Sequence, residues 1–225
     1  MEIFASGLDG IRMRGKPTIT GDIGFRKPIT LADQERVGSM LPPGREVKGI
    51  VTGPYTMAMS CRDEHYGSVE RAAFAFAEAL NNEVLALEPM VVYVQVDEPF
   101  FSVEYPEYGK ELLAAMFRNA KGTRALHVCG DVSGIFPELV EYDVDILDHE
   151  FAVNPSLLDT VKEHDFSQQI GYGCVRSDIP DVDNVSEIVE RVRKAVDALG
   201  AEKLWLDPDC GLGNLPEASA RQKLV

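Results

Sequence analysis

Six short apolar runs, each separated from the next by a helix-length amphipathic segment, constrain the fold of this chain most. Runs rich in Val, Ile and Leu, with Gly, Pro or Asp at their ends, are typical of buried parallel strands. They cover residues 47–54, 91–99, 124–130, 144–151, 168–175 and 203–211. The predicted helices cover residues 67–88, 106–121, 133–141, 155–164 and 184–199. This alternation predicts an α/β fold with a parallel sheet, and its extent favours a TIM-type (β/α)8 barrel over a doubly wound sheet.

Both ends of the chain depart from a complete barrel. About six strands are visible where a closed barrel needs eight. Residues 1–46 are predicted to form a loop or hairpin excursion, and only a short stub follows the last strand. We therefore expect one catalytic-barrel domain over residues 1–225 that lacks its N-terminal strands and its closing C-terminal helix.

The charge of the chain disfavours two classes of partner. The chain has 37 acidic and 22 basic residues and a net charge of −15, which disfavours nucleic acid and anionic membranes as partners.

No apolar run is long enough to span a membrane, and the N-terminus has no secretory signal pattern. A cytoplasmic location is expected. Four cysteines spread over 150 positions do not form a small disulfide scaffold.

Residues with chemically useful side chains follow successive predicted strands, which is where barrel enzymes assemble their active sites. The stretch "HVC" places His127 and Cys129 on the same side of a strand end. Taken alone it also fits a core cysteine beside a chance histidine, or a redox thiol. "LDPDCG" places Cys210 after the last strand, and "LDHEFA" offers His149 or Glu150 as ligand or as solvated rim residue. Together, His127, Cys129, Glu150 and Cys210 would supply the nitrogen, sulfur and oxygen donors that a tetrahedral zinc site uses.

An ordered set of motifs carries a family resemblance over essentially the whole chain. The motifs are "TGPYT", "VQVDEP", "HVCGD", "DILDHEFA", "IGYGCV" and "LDPDCGL". Together they resemble the C-terminal catalytic barrel of cobalamin-independent methionine synthase, including the short archaeal-type homocysteine methyltransferases. The resemblance implies a zinc ion held by His127, Cys129, Glu150 and Cys210, which binds the thiolate of homocysteine during methyl transfer to give methionine.

The resemblance also implies residues that bind the amino acid end of homocysteine. Asp97 matches a carboxylate that holds the amino group, and Glu98 shares the role; a structural or helix-capping Asp97 is the alternative. Glu2 corresponds to another carboxylate near the substrate. Asp178, in "CVRSDIP", stands where folate-using members carry a histidine proposed as proton donor, so it is a candidate catalytic residue.

Two further departures from the family concern substrate contacts. A Gly-Ser segment that holds the homocysteine carboxylate is absent, and Ser60 stands where folate-using members carry a tryptophan that stacks on the pterin. A serine offers no such surface. The methyl donor is accordingly a methyl-corrinoid protein, as in the short relatives, or 5-methyltetrahydrofolate.

Two rival interpretations stay open. One is a zinc-binding, non-catalytic fragment or one subunit of a split barrel, in which a second chain supplies the missing strands. The other is a corrinoid-linked methyltransferase that acts on a different thiol, of the coenzyme M type. The carboxylates of "VQVDEP" favour an amino acid acceptor.

Overall fold

The computed structural model describes residues 2–224, which form two sheets flanked by helices. The strands are β1 (Leu8–Arg14), β2 (Lys16–Phe25), β3 (Lys48–Thr52), β4 (Arg62–Asp63), β5 (Tyr93–Asp97), β6 (Thr123–Val128), β7 (Ile146–His149), β8 (Gln169–Val175) and β9 (Leu204–Pro208). The helices are α1 (Glu2–Gly7), α2 (Leu31–Met40), α3 (Pro54–Ser60), α4 (Val69–Leu87), α5 (Gly109–Met116), α6 (Phe136–Leu139), α7 (Leu157–Lys162), α8 (Val185–Leu199) and α9 (Glu217–Lys223). Short 3-10 turns link several of them.

The larger sheet has six strands in the order β3-β5-β6-β7-β8-β9, and the smaller has the order β1-β2-β4. In the large sheet β3 pairs with β5, β7 with β8 and β8 with β9, all in parallel. The α/β fold with six parallel strands predicted from the sequence is thereby confirmed. The chain divides into two compact units, Met1–Leu126 and His127–Val225.

In the first unit, an antiparallel hairpin of β1 and β2 turns at Gly15, whose φ of 79° favours glycine. Ser68 is the N-cap of the long helix α4, and its side chain accepts the N–H of Arg71. One face of α4 is buried, with Phe76 and Leu80 fully inaccessible. The burial of this apolar face stabilises the helix.

In the second unit, β8 is the middle strand of the β7-β8-β9 ladder. All but its first and last residues are buried. The register of β8 against β9 shifts between Gly173 and Val175, where a bulge interrupts the pairing. Asn184 caps the start of helix α8, and its side chain accepts the N–H of Ser186. Gly200, with a φ of 87°, directly follows the helix.

The predicted helices exist in shortened form, and helices α1, α2, α3 and α9 were not predicted. The segment over residues 1–46 contains the expected hairpin but also helices α1 and α2. The single-domain boundary of 1–225 stays a prediction. Among the helices within residues 2–224, none is long and apolar enough to cross a membrane.

Candidate metal centre

Three soft metal-binding side chains converge in the second unit, at the carboxyl ends of two strands. His127 is the second-last residue of β6, Cys129 directly follows β6, and Cys210 follows β9. Their ligand atoms all lie within 4.8 Å of one another. His127 is buried and the two cysteines are half-buried. The structure thus brings together three of the four ligands expected from the sequence.

The spacing of these atoms fits a tetrahedral metal site. His127 Nε2 lies 3.0 Å from Cys129 Sγ, and Cys129 Sγ lies 3.4 Å from Cys210 Sγ. A disulfide would bring the sulfurs to about 2.05 Å. Zinc with Zn–S bonds of about 2.3 Å would separate two thiolates by about 3.8 Å in a tetrahedral site. The separation of the two sulfurs therefore lies within a few tenths of an ångström of the value for a zinc site.

The surroundings of Cys210 favour its thiolate, the form that binds metal. Hydrogen bonding with the Cys129 thiol and the interaction with the nearby His127 ring lower the pKa of Cys210, and burial opposes them. Because a thiolate is the ligand form of cysteine, the lowered pKa prepares Cys210 for metal binding.

The fourth expected ligand, Glu150, lies outside the group of three. It directly follows β7, and its Oε2 accepts the N–H of Gly130 at 2.7 Å. Gly130 comes directly after Cys129 and has a φ of 85°, which favours glycine. Burial raises the pKa of Glu150, and the nearby Cys210 adds to that rise. The carboxylate is thus tied to the loop that carries Cys129.

The two carboxylates of "VQVDEP" lie in different surroundings within the first unit. Asp97 ends β5 and is half-buried, and its Oδ1 accepts Nε2 of Gln95 at 2.8 Å. Glu98 is fully buried, and its carboxylate accepts the N–H groups of Tyr55 and Thr56 at 2.8 Å and the Thr56 hydroxyl at 2.7 Å. Glu98 therefore holds the first turn of α3, whereas Asp97 keeps a partly accessible carboxylate.

The two remaining predicted residues differ in how far the structure describes them. Glu2 begins α1, and its side chain lies outside the described part of the chain. Asp178 forms a bidentate ion pair with Arg176, with contacts of 2.9 and 2.6 Å. The hydrogen bonds from Arg176 lower the pKa of Asp178. A carboxyl group with a lowered pKa is ionised at neutral pH, which argues against a proton-donating role.

Two buried carboxylates beside the proposed ligands are not predicted from the sequence. Asp148 lies two residues before Glu150, and Asp209 directly precedes Cys210. Both are almost fully buried. A buried acidic residue needs hydrogen-bonding partners. An acidic residue within an apolar run and next to a proposed ligand is therefore the sequence feature that could have indicated these two carboxylates.

Comparison with known proteins identifies the family. The profile of the family described as "Cobalamin-independent synthase, Catalytic domain" matches residues 9–225. The chain is 34% identical to a methionine synthase of Methanocaldococcus jannaschii, over all of this chain and 77% of the relative. It is 37% identical to a methionine synthase of Methanothermobacter marburgensis, over 79% of this chain and 60% of the relative.

A solved structure shares the fold. The B12-independent methionine synthase from Shewanella sp. W3-18-1, in complex with selenomethionine, matches with a TM-score of 0.85 and 25% identity. The match covers 98% of this chain and 74% of that one, so it includes the strands that carry the candidate ligands. The chain belongs to the family of cobalamin-independent methionine synthases.

Proposed function

We propose that this protein uses zinc to transfer a methyl group to the thiol of homocysteine, giving methionine. The observation that carries the proposal is the convergence of His127, Cys129 and Cys210 within 4.8 Å in a member of this family. We propose Glu150 as the fourth ligand. In that role its carboxylate would lie closer to the cysteines than it does in this structure.

The reaction is a nucleophilic displacement at the methyl carbon. A bound zinc ion would supply positive charge that lowers the pKa of the substrate thiol, which is ordinarily near ~8.5. The thiol proton passes to solvent, the sulfur electron pair forms the new S–CH₃ bond, and the donor keeps the electron pair of the bond that breaks. No protein acid is needed at the sulfur.

Asp97 is proposed to hold the ammonium group of homocysteine. Its carboxylate is held by Gln95, whose Oε1 accepts Lys48 Nζ at 3.1 Å while its Nε2 donates to Asp97. A carboxylate oriented in this way suits a charge-assisted hydrogen bond to an ammonium ion. Glu98 is proposed to support the site through α3 rather than through substrate contact.

The methyl donor is proposed to be a methyl-corrinoid protein, with 5-methyltetrahydrofolate as the alternative. Ser60 ends helix α3 at the position where folate-using members stack a tryptophan on the pterin. A serine cannot provide that apolar surface.

Substitution of a ligand tests the proposed centre. We expect about one zinc ion per chain in the wild type, because the proposed ligands form a single four-ligand site. We expect a strongly reduced zinc content in Cys210→Ser. Cys174→Ser is the matched control, because the Cys174 thiol is buried and burial raises its pKa to about 11. Equal zinc content in wild type and Cys210→Ser, measured by elemental analysis after dialysis, would contradict the proposal.

A second candidate function is zinc binding without turnover, in which further strands are needed for activity. The match spans 60% of the M. marburgensis protein, so the activity of the whole relative is a proposal for this chain. Zinc bound at full stoichiometry, with no methionine formed until a second polypeptide is added, would distinguish it.

A further inference from the structure

Strand β8 supplies none of the proposed ligands, yet it lies between the strands that lead to Glu150 and to Cys210. Its residues Gly171 and Gly173 are two apart and so face the same side of the sheet. A Cβ atom on either glycine would collide with a buried carboxylate residue of a neighbouring strand or loop. The absence of side chains at these two positions leaves room for those carboxylates.

The first carboxylate belongs to Asp148, which pairs in register with Gly171. A Cβ at Gly171 would lie 2.7 Å from both Cβ and Cγ of Asp148 and 2.9 Å from its Cα. Asp148 Oδ1 lies 2.8 Å from Nδ1 of His127, and both side chains are at most 4% exposed. The carboxylate accepts the proton on Nδ1 and so leaves the lone pair on Nε2, the atom that faces the cysteines.

The second carboxylate belongs to Asp209. A Cβ at Gly173 would collide with Oδ1 of Asp209 and would lie 2.7 Å from its Cα. Asp209 is 1% exposed, and its two oxygens accept the N–H groups of Ala152 and Val153 at 2.9 Å each. Asp209 therefore ties the segment that follows Glu150 to the residue that precedes Cys210.

We propose that Gly171 and Gly173 make β8 the strand that positions the ligands, by accommodating Asp148 and Asp209. Asp148 fixes the tautomer and ring orientation of His127, and Asp209 sets the separation of the Glu150 and Cys210 loops. The two glycines and the two aspartates are positioning residues that act through the ligands. The inference rests on the proposed metal centre and adds to it the residues that determine its affinity.

Zinc affinity is the property that this arrangement should control. Removal of a carboxylate that orients a histidine ligand typically lowers the metal affinity by about 10–100-fold. We expect Asp148→Asn and Asp209→Asn each to raise the zinc dissociation constant by about that factor. Both changes keep the side-chain volume, but Asp148→Asn removes the negative charge beside His127. Asp209→Asn replaces one of the two accepting oxygens with an NH₂ group, which leaves one backbone N–H without its acceptor.

The experiment is a competition titration of zinc between a chromophoric chelator and the purified full chain. Gly171→Ala and Gly173→Ala should weaken zinc binding in the same direction as the two Asp→Asn variants. Gly134→Ala is the matched control, since a Cβ there meets nothing within 4 Å, and its dissociation constant should equal that of the wild type. The visible spectrum of the cobalt-substituted protein should shift in the four variants and not in the control.

A merely structural role is separated by thermal melting of the metal-free proteins. Lower melting temperatures with unchanged zinc dissociation constants in both Asp→Asn variants would overturn the inference, and so would unchanged cobalt spectra. The Asp→Asn variants keep the test decisive if the alanine variants do not fold. A wild type that binds no zinc would instead overturn the proposed function.

Discussion

At the scale of single residues, the identity of the soft ligands follows from residue type and strand position. The i, i+2 spacing of His127 and Cys129 predicts that both point to one side, and the structure places Nε2 and Sγ 3.0 Å apart. Cys210 lies 81 residues after Cys129 in the sequence. Its position close to Cys129 depends on the order of the strands in the sheet. Residue type does not reveal that Glu150 accepts the Gly130 N–H, because that contact depends on the loop conformation.

The proposed role of Asp97 leads to a prediction about substrate affinity. Asp97→Asn removes the negative charge that pairs with the substrate ammonium group, and such charged hydrogen bonds are worth about 1.5–3 kcal/mol. We expect the KM for homocysteine to rise by roughly 10–100-fold, with zinc content unchanged because Asp97 is not a proposed ligand.

Steady-state kinetics with homocysteine as the varied substrate checks this prediction. Asp159→Asn is the matched control, because the Asp159 side chain is 75% exposed and its ion pair with Lys162 lies on the surface. A KM for Asp97→Asn equal to that of the control would rule out the proposed contact.

At the scale of elements, a buried carboxylate connects strand β5 to helix α3. Glu98 comes directly after β5 and accepts the first N–H groups of α3, where the helix dipole favours negative charge. Gly53 precedes α3, and a Cβ there would collide with the Glu98 side chain. The motif "TGPYT" thus supplies both the space and the N–H groups for Glu98. The family resemblance links Glu98 to the substrate together with Asp97, and that role stays a prediction.

The pKa of Glu98 predicts a pH dependence of stability. Burial raises this pKa from 4.5 to about 7, although hydrogen bonds from Thr56 and Tyr55 partly oppose the rise. Between these values the unfolded chain loses the proton while the folded chain keeps it. The contribution of Glu98 to stability is therefore fully present below pH 4.5 and is lost as the pH rises through about 7.

Glu98→Gln should remove this dependence. We expect the free energy of unfolding of the wild type, relative to Glu98→Gln, to fall as the pH rises from about 4.5 to about 7. Urea denaturation of both proteins across this range measures the difference. A difference that stays constant or rises with pH would show that Glu98 is ionised in the folded protein throughout.

The strands were easier to predict than the helices. The six apolar runs indicate the strands of the large sheet because buried parallel strands are rich in apolar residues, as in β8, whose five inner residues are all buried and uncharged. Helix α2 has no buried residue, and α3 is buried over most of its length. Neither therefore shows the one-sided apolar periodicity by which helices are recognised in a sequence.

At the scale of the whole molecule, the parallel order of the strands brings the chemistry together. His127, Glu150 and Cys210 lie at the ends of three different strands, and parallel strands place their carboxyl ends at the same edge of the sheet. The sequence indicates the six strands of the large sheet and the position of each proposed ligand at a strand end. The buried carboxylates and the glycines of β8 could not be predicted, because their roles depend on the register between neighbouring strands.

The most direct test of the central claim is methionine formation by the zinc-loaded chain. The purified protein would be given homocysteine with either methylcobalamin or 5-methyltetrahydrofolate, and methionine would be quantified in both reactions. We predict methionine from the cobalamin donor, none from the folate donor, and loss of the product in Cys210→Ser. Methionine formation that is equal in wild type and Cys210→Ser would contradict a metal-dependent reaction at this centre.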